Sequence, residues 1–579
     1  MKNLHLQHSA AKQLCVAFTA ALLLLGTPPA KSQTATPPKL TTSAENEAID
    51  LKATEYLLKV KSDWHIPGMA LSIVKDGQIV FAKGFGVKDI SKEGEGSQQV
   101  SENTLFQIGS VSKSFTALVM ASLVDEGLVK WDDTVKKILP DLKLYDKWVE
   151  ENLQVKDIMT HRMGLKGQMG TYIPNMGYSR DDVYRMIALM KPEYGFRGSY
   201  EYNNITFIIA EKIIEKLTGK SWEENVTERV FKPLGMSHSS LNGDAFRAAS
   251  DVAVPHEFGY RLKKGVAGVF RDSTILKSKK FAEQTDSAAI LPIYGEDQAL
   301  HWLTVIGPAG SVNSTASDLA KYALFHLNNG VVYENGLKKQ IVTRKSMDYL
   351  HRGVTITSQD STRTTLYGHC WFVEQNNRYR LLFHTGTTWG FTTLVAFVPE
   401  LNLGMAMVVN SEAPASPRYA IMRRVIDLYL LNSKGADIQT ADLRDYNAEY
   451  LADWALSGRE SALRQYKRSM MPKEEPKVKD SLPAIQEREL AGVYDKGELF
   501  GKAIITFEDG QLYITAGPLG WKHKLQKRSP LSYTFSSDGH TFPLKFILKE
   551  RRGKKIAKVK AIDIDFGYGE DFGEWKRVK

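Results

Sequence analysis

Apolar and polar positions alternate in two distinct rhythms along this chain, and the rhythms divide it into regions. Met69-Ala70-Leu71-Ser72-Ile73-Val74 and Ile79-Val80-Phe81-Ala82 are β-rich runs separated by Lys75-Asp76-Gly77-Gln78. An Asp-Gly pair between two such runs is a strong hairpin signal. A helix is predicted ahead of them, through Ala48–Lys61, stopping before Ile66-Pro67-Gly68. From Ser110 to Met236 helical spacing dominates; Phe115, Leu118, Val119 and Leu123 recur on one face and Gly127 is a plausible terminator. Strands return at Arg378–Phe383, Thr392–Val398 and Gly404–Val409, and Arg418–Leu431 reads as an amphipathic helix. Outer strands that bracket a helical middle predict one α/β domain. Its antiparallel sheet, flanked by helices, draws strands from both ends of the segment, and the middle forms a mostly helical subdomain.

After Pro483 the rhythm changes. Ala503–Phe507, Gln511–Ile514 and Leu544–Ile547 are short alternating runs punctuated by Asp509-Gly510 and Asp538-Gly539. Strands at that spacing predict a small all-β C-terminal domain over 483–579, an antiparallel barrel or sandwich. Residues 435–482 read as helical and then charged, ending in Lys473-Glu474-Glu475-Pro476-Lys477, which is the pattern of a linker.

The first residues belong to neither unit. Lys2 and Lys12 precede the apolar run Leu14–Leu25; Gly26, Pro28 and Pro29 break it, and Ala30-Lys31-Ser32 supplies small residues for cleavage. This predicts a secretory signal peptide over 1–32, its apolar run shorter than the about 20 residues of a membrane span. The expected destination is the periplasm or the exterior, with no stable membrane span after cleavage. Thr-, Pro- and Ala-rich residues 33–48 read as a flexible leader. Removing 1–32 takes away one of the two cysteines and leaves Cys370, so no intramolecular disulfide is expected.

Composition adds exclusions. A chain of 579 residues needs more than one core. The net charge of +10 is modest for this length, and Lys2, Lys12 and Lys31 leave with the signal peptide. The densest basic run, Arg551-Arg552-Gly553-Lys554-Lys555, reads as a solvated turn between strands, so no nucleic-acid partner is expected. No His-Glu-x-x-His or paired-cysteine spacing is present, so neither a metal nor another cofactor is expected. Oligomeric state is open.

The chemistry concentrates in Gly109-Ser110-Val111-Ser112-Lys113. Residues three apart share a helix face, which sets the Lys113 amine beside the Ser110 hydroxyl. A serine becomes a nucleophile when a neighbouring base takes its proton, and a desolvated lysine can help do that. The same spacing at Ser9–Lys12 lies in the signal peptide, and at Ser72–Lys75 it lies on a strand, where positions i and i+3 face opposite ways. Ser199-Tyr200-Glu201-Tyr202-Asn203-Asn204 precedes the apolar helix Ile205–Lys216, so Tyr202 and Asn204 can project from a loop beside a rigid element. His384-Thr385-Gly386-Thr387 follows the strand-like run Tyr379–Phe383, and a glycine at a strand edge admits close approach of a substrate carbonyl. His161 reads as a structural hydrogen-bonder in its turn, and Trp389 either lines the site mouth or packs beneath it.

Ser-x-x-Lys, Tyr-x-Asn and His-Thr-Gly in this order resemble the family of class C β-lactamases, D-alanyl-D-alanine carboxypeptidases of the B type, D-aminopeptidases and class VIII esterases. Ile66-Pro67-Gly68-Met69-Ala70, Thr160-His161-Arg162-Met163-Gly164-Leu165 and Ser314-Thr315-Ala316-Ser317-Asp318-Leu319-Ala320 agree with it. The resemblance covers roughly 49–434, and the tail is similar to a lipocalin-like domain appended to many such hydrolases. It implies a β-lactamase/transpeptidase-like fold and a penicillin-binding-protein-like serine hydrolase. Ser110 would be the nucleophile, with Lys113 and Tyr202 a coupled proton-transfer pair whose acylation base stays open. Asn204 would bind the substrate amide, the backbone N–H groups of Ser110 and Thr387 would form an oxyanion hole, and His384, Thr385 and Gly386 would complete the binding strand. Histidine stands at 384 where class C β-lactamases usually carry lysine. A charge on His384 that changes near neutrality is therefore expected to select substrates bearing a carboxylate. The expected substrate is a D-amino-acid-containing peptide or peptidoglycan fragment; β-lactamase, carboxylesterase and a non-catalytic cell-wall sensor are the alternatives.

Overall fold

Ile49, Ala53, Tyr56, Leu57 and Val60 recur at helical spacing and bury one side of the first helix, α1 (Ser43–Asp63). The computed structural model describes residues 43–92, 94, 98–262, 267–268, 285–292, 297–334, 336–411, 416–452, 485–537, 540–549, 558–566 and 572–578. The signal peptide, the basic run Arg551–Lys555 and most of the linker lie outside the described residues. Helix α1 begins five residues before the predicted start at Ala48 and takes the end of the expected leader with it. Ser43-Ala44-Glu45-Asn46-Glu47 is composed mainly of residues a helix accepts at its N-terminus, and the stripe at Ile49 anchors that end.

The hairpin forms as β1 (Gly68–Lys75) and β2 (Gln78–Gly86). Gly77 takes a positive φ of 83°, which a turn of this kind needs. The helical middle includes α2 (Ser112–Asp125), α3 (Thr206–Thr218), α4 (Asp297–Val305) and α5 (Ala316–Leu327). Thr315 caps α5 by accepting from the Asp318 N–H at 3.1 Å. Six further strands follow: β3 (Gly353–Gln359), β4 (Arg363–Gly368), β5 (Phe372–Asn376), β6 (Arg380–Thr388), β7 (Phe391–Val398) and β8 (Leu403–Val409). They join the hairpin in an antiparallel sheet of order β3-β4-β5-β6-β7-β8-β1-β2. The first hairpin of the segment thus pairs with its last strand, Met69 opposite Val409.

Strands β1, β7 and β8 are buried along their whole length, because both sheet faces are covered. Met69, Leu71, Leu394 and Met407 face α1 and α6 (Ser416–Ser433), while Ala70, Val395 and Val408 face the helical middle. The segment after α6 packs back on this layer: Asn447 accepts from Trp64 Nε1 at 2.7 Å and Tyr446 donates to Asp427 at 2.5 Å. The start of the expected linker is therefore part of the hydrolase layer. Among the described residues, no helix is long and apolar enough to cross a membrane.

The tail forms β9 (Gly492–Asp495), β10 (Lys502–Glu508), β11 (Gln511–Ala516), β12 (Trp521–Lys524), β13 (Gln526–Ser529), β14 (Ser532–Ser537), β15 (His540–Lys549), β16 (Lys558–Ile564) and β17 (Trp575–Arg577). Their order, β12-β11-β10-β9-β17-β16-β15-β14-β13, curls into a nearly closed barrel. Its interior is filled by Tyr494, Tyr533, Phe535, Phe546 and Trp575, all at most 2% exposed. The fold class is as the sequence pattern predicts, an antiparallel sheet flanked by helices with a helical subdomain and a small all-β domain.

Candidate active site

Ser110 stands in a single 3-10 turn, Gly109–Val111, that leads into α2, and Lys113 lies in the first turn of that helix. The spacing does what the sequence suggests: Lys113 Nζ donates to Ser110 Oγ at 3.2 Å. It also donates to Asn204 Oδ1 at 2.7 Å and to the Ala309 carbonyl at 3.0 Å. These two acceptors occupy two of the three directions an amine offers, and the third faces the serine. Lys113 is fully buried and its hydrogen-bond partners are uncharged. Burial pulls its pKa down to about 7, since a desolvated ammonium is disfavoured. At neutral pH a large share of Lys113 is a free amine with its lone pair toward Ser110.

Tyr202 hydrogen-bonds Ser110 from the other side, and that bond favours the phenolate. Burial outweighs it and pushes the phenol above its usual range, so Tyr202 is neutral at pH 7. Lys113 Nζ lies 4.6 Å from the Tyr202 ring centroid and 5.4 Å from that of Phe207. Asn204 turns its oxygen to Lys113 because its amide nitrogen donates to Gln168 Oε1 at 2.9 Å. In this structure Asn204 thus serves Lys113 while also lining the cavity.

Strand β6 meets the Ser110 turn at two glycines. Gly109 has φ 51°, and a Cβ there would lie 2.8 Å from Thr387 N. A Cβ on Gly386 would lie 1.8 Å from the Ile108 carbonyl and 3.1 Å from Ser110 N. Neither position admits a side chain, so β6 and the Ser110 turn interlock with the Ser110 and Thr387 amides close together. Buried Arg418, at the start of α6, donates to the Gly386 carbonyl at 2.9 Å and fixes the strand from behind. The sequence places His384–Thr387 after a strand, whereas here they lie inside it, with Gly386 opposite Thr393.

His384 is where expectation and structure part. It lines the cavity but is 1% exposed, with Nε2 3.1 Å from Tyr367 Oη and Nδ1 2.8 Å from the Thr385 carbonyl. A carbonyl can only accept, so Nδ1 carries a proton, and in the neutral ring Nε2 accepts from the phenol. Burial, with Lys113 nearby, pulls its pKa down to about 3. The expected carboxylate-holding charge near neutrality is overturned by that burial, which disfavours an imidazolium. His161 is structural in the sense expected. Its Nδ1 accepts from the Asn203 N–H at 3.1 Å, and its ring lies 4.4 Å from that of Tyr202, bracing the loop that carries the phenol.

These groups open on a cavity of about 450 Å³. Tyr172, Tyr200, Trp302 and Phe372 form much of its wall. Trp302 donates to the Thr171 carbonyl at 2.7 Å, and Trp389 packs edge-on against Trp302 with centroids 4.4 Å apart. Gln168, Ala309 and Arg418 are contributors that sequence reasoning missed; Gln168 lies three residues after the Thr160–Leu165 run and Ala309 five before Ser314.

A serine turn, a buried lysine and an interlocked strand on a helix-flanked antiparallel sheet make this a β-lactamase/transpeptidase-like fold of the serine hydrolase type. The sequence profile of the beta-lactamase family matches residues 58–429, and the chain belongs to that family. It is 27% identical over 419 residues to the unguisins hydrolase ungD' of Aspergillus campestris, covering 71% of this chain and 70% of the relative. It is 22% identical over 388 residues to protein flp of Staphylococcus aureus strain MW2, covering 67% of each. The octameric penicillin-binding protein homologue from Pyrococcus abyssi shares the fold with a TM-score of 0.51 and 20% identity, over 89% of this chain and 97% of that one. SurE does so with a TM-score of 0.50 and 16% identity, over 92% of this chain and 100% of that one.

Proposed function

We propose that this chain is an exported serine hydrolase that forms an acyl-enzyme at Ser110 on an amide or ester. The observation that carries it is a fully buried lysine, bonded only to uncharged groups, 3.2 Å from a serine hydroxyl at the cavity floor. Neutral Lys113 takes the Ser110 proton as Oγ attacks the carbonyl carbon. The oxyanion forms between the Ser110 and Thr387 amides, the usual site of greatest electrostatic stabilisation. Tyr202, neutral and bonded to Ser110, protonates the leaving nitrogen or oxygen, and the proton held by Lys113 restores it. Water then cleaves the acyl-enzyme by the reverse sequence.

Histidine rather than lysine ahead of Thr385-Gly386, as is familiar among the carboxypeptidases and D-peptidases that the chain resembles, supports D-amino-acid-containing peptides, including peptidoglycan fragments, as the substrate class. β-Lactams and carboxylic esters are the alternatives. The fungal relative named for hydrolysing unguisins supports hydrolysis as the outcome of acylation. Intact-mass spectrometry after treatment with a fluorophosphonate or a fluorescent penicillin tests the reading. One adduct per chain is expected on the wild type and none on Ser110→Ala. An adduct that persists on Ser110→Ala moves the nucleophile elsewhere, and no adduct on either supports a non-catalytic sensor.

A further inference from the structure

The β barrel touches the hydrolase layer at the segment that carries the cavity wall. Tyr178, 1% exposed, donates to the Phe500 carbonyl at 2.8 Å, and Ser537 Oγ donates to the Asn175 carbonyl at 2.9 Å. The turn between β11 and β12 fits against the same stretch. Gly517 has φ 78°, and a Cβ there would lie 1.6 Å from the Met176 carbonyl. Gly177 answers from the other side, where a Cβ would lie 2.8 Å from Leu519 Cβ. Two backbones that approach this closely from separate layers leave little freedom to the shorter one, the 3-10 turn Ile173–Met176.

A second contact reaches α4. Trp521 packs edge-on against His301 with centroids 5.4 Å apart, and His301 Nε2 is 3.1 Å from the Tyr178 carbonyl. One residue further along each segment the cavity begins. Thr171 and Tyr172 precede the clamped turn, Trp302 follows His301, and the Trp302–Thr171 hydrogen bond ties the two together. The hydrogen bonds of the floor run among Ser110, Lys113, Asn204 and Ala309, and meet the wall segment where the Asn204 amide donates to Gln168 Oε1 at 2.9 Å and to Thr171 Oγ1 at 3.4 Å.

We infer that the barrel is a positioning element of the active site, which sets the aromatic wall formed by Tyr172 and Trp302 and thereby the binding of large substrate groups, while leaving acylation chemistry to the floor. This rests on the Ser110 reading above. Loosening the clamp lets Tyr172 and Trp302 shift, which costs contacts to a bulky acyl group and none to a small one. Loss of uniform binding raises KM with little change in kcat.

The test uses the full chain with two probes, p-nitrophenyl acetate and p-nitrophenyl 4-phenylbutyrate. Gly517→Ala drives a methyl group into the Met176 carbonyl. It is expected to raise KM for the phenylbutyrate at least tenfold, with kcat/KM for the acetate and the rate of fluorophosphonate labelling within twofold of wild type. Where Gly517→Ala fails to fold by circular dichroism, the Leu519→Ala/Ser537→Ala double variant is the test, with a threefold or greater rise expected. Equal losses on both esters, or no change in either, would overturn the inference. Ser110→Ala run alongside keeps the two claims apart: turnover that survives it refutes the nucleophile assignment, whatever the barrel variants do.

Discussion

The floor and the wall of the cavity are built in opposite ways. The floor is polar and closely bonded: Lys113 contacts Ser110, Asn204 and the Ala309 carbonyl, Asn204 is fixed by Gln168, and Gly386 packs against Ile108. The wall is aromatic, part of it set by contacts to a different layer more than 300 residues away in sequence, such as Tyr178 to Phe500 and Asn175 to Ser537. A floor of this kind fixes one chemistry because every polar group in it has a single low-energy arrangement. Floor and wall meet where Gln168 and Thr171 bond the Asn204 amide, so a shift of the wall at Tyr172 and Trp302 leaves the Lys113 bonds to Ser110 and Ala309 in place. The contrast teaches where reaction type and substrate choice are encoded in this molecule.

The sharpest way to break the contrast is to attack the floor at its tightest contact. Gly386→Ala places a methyl group on the Ile108 carbonyl and must push β6 away from the Ser110 turn. Losing one oxyanion donor costs roughly 10²–10³ in rate, so acylation should fall by about that factor for the acetate and phenylbutyrate probes alike. Stopped-flow acylation of both esters checks it. A loss confined to the larger ester would mean that β6 belongs to the wall.

Acid loads the floor next. His161 and His384 stand behind Tyr202 and β6, and His326, His351 and His369 are buried elsewhere in the same domain. Burial pulls His351, His369 and His384 down to about 3 and holds His161 and His326 well below their usual value. The unfolded chain, with ordinary histidines near 6.5, binds protons that the folded chain refuses. Their contribution to stability is therefore complete above about pH 6.5 and is lost as the pH falls toward 3, by up to ~1.4 kcal/mol per pH unit for each histidine. Urea unfolding at pH 7.5 and pH 5 should show a clear drop in midpoint. Equal midpoints would mean that these histidines are protonated in the fold.

The smallest effect is expected at His384 itself. With the ring neutral, the ratio of acylation efficiencies for a carboxylate-bearing substrate over its neutral ester should stay flat from pH 5.5 to 8.5. His384→Ala should lower both members by a similar factor. A ratio that falls as the pH rises through 6.5 would restore a charged His384.

The same contrast explains what could be read from the sequence. Ser110–Lys113 was legible because a helix turn converts a spacing of three into contact, and β1–β2 because Asp76-Gly77 marks a turn. Tyr202 and Asn204 were legible by their place before α3. His384 was misread because its state depends on Tyr367, two strands away in the sheet, and on Lys113, neither of which leaves a trace beside it in sequence. Ala309 contributes only a backbone carbonyl, which any residue would supply. The wall was invisible for a stronger reason: Tyr172 and Trp302 belong to no motif, and the turn beside them is held by Gly517 of the barrel. The early start of α1 was missed because the Thr- and Pro-rich stretch ahead of it masks a change of composition at Ser43.

The central claim is that a neutral Lys113, rather than an ionised Tyr202, activates Ser110. The measurement that tests it most directly is the rate of acylation by p-nitrophenyl acetate, followed by stopped flow from pH 5 to 10. Lys113 is titrated near 7 by its burial, whereas the Tyr202 phenol is held above its ordinary range. The rate should rise tenfold per pH unit below about 7, level off above it, and be lost in Lys113→Met. A rate that keeps rising beyond pH 9, or a Lys113→Met variant that acylates at the wild-type rate, would contradict it.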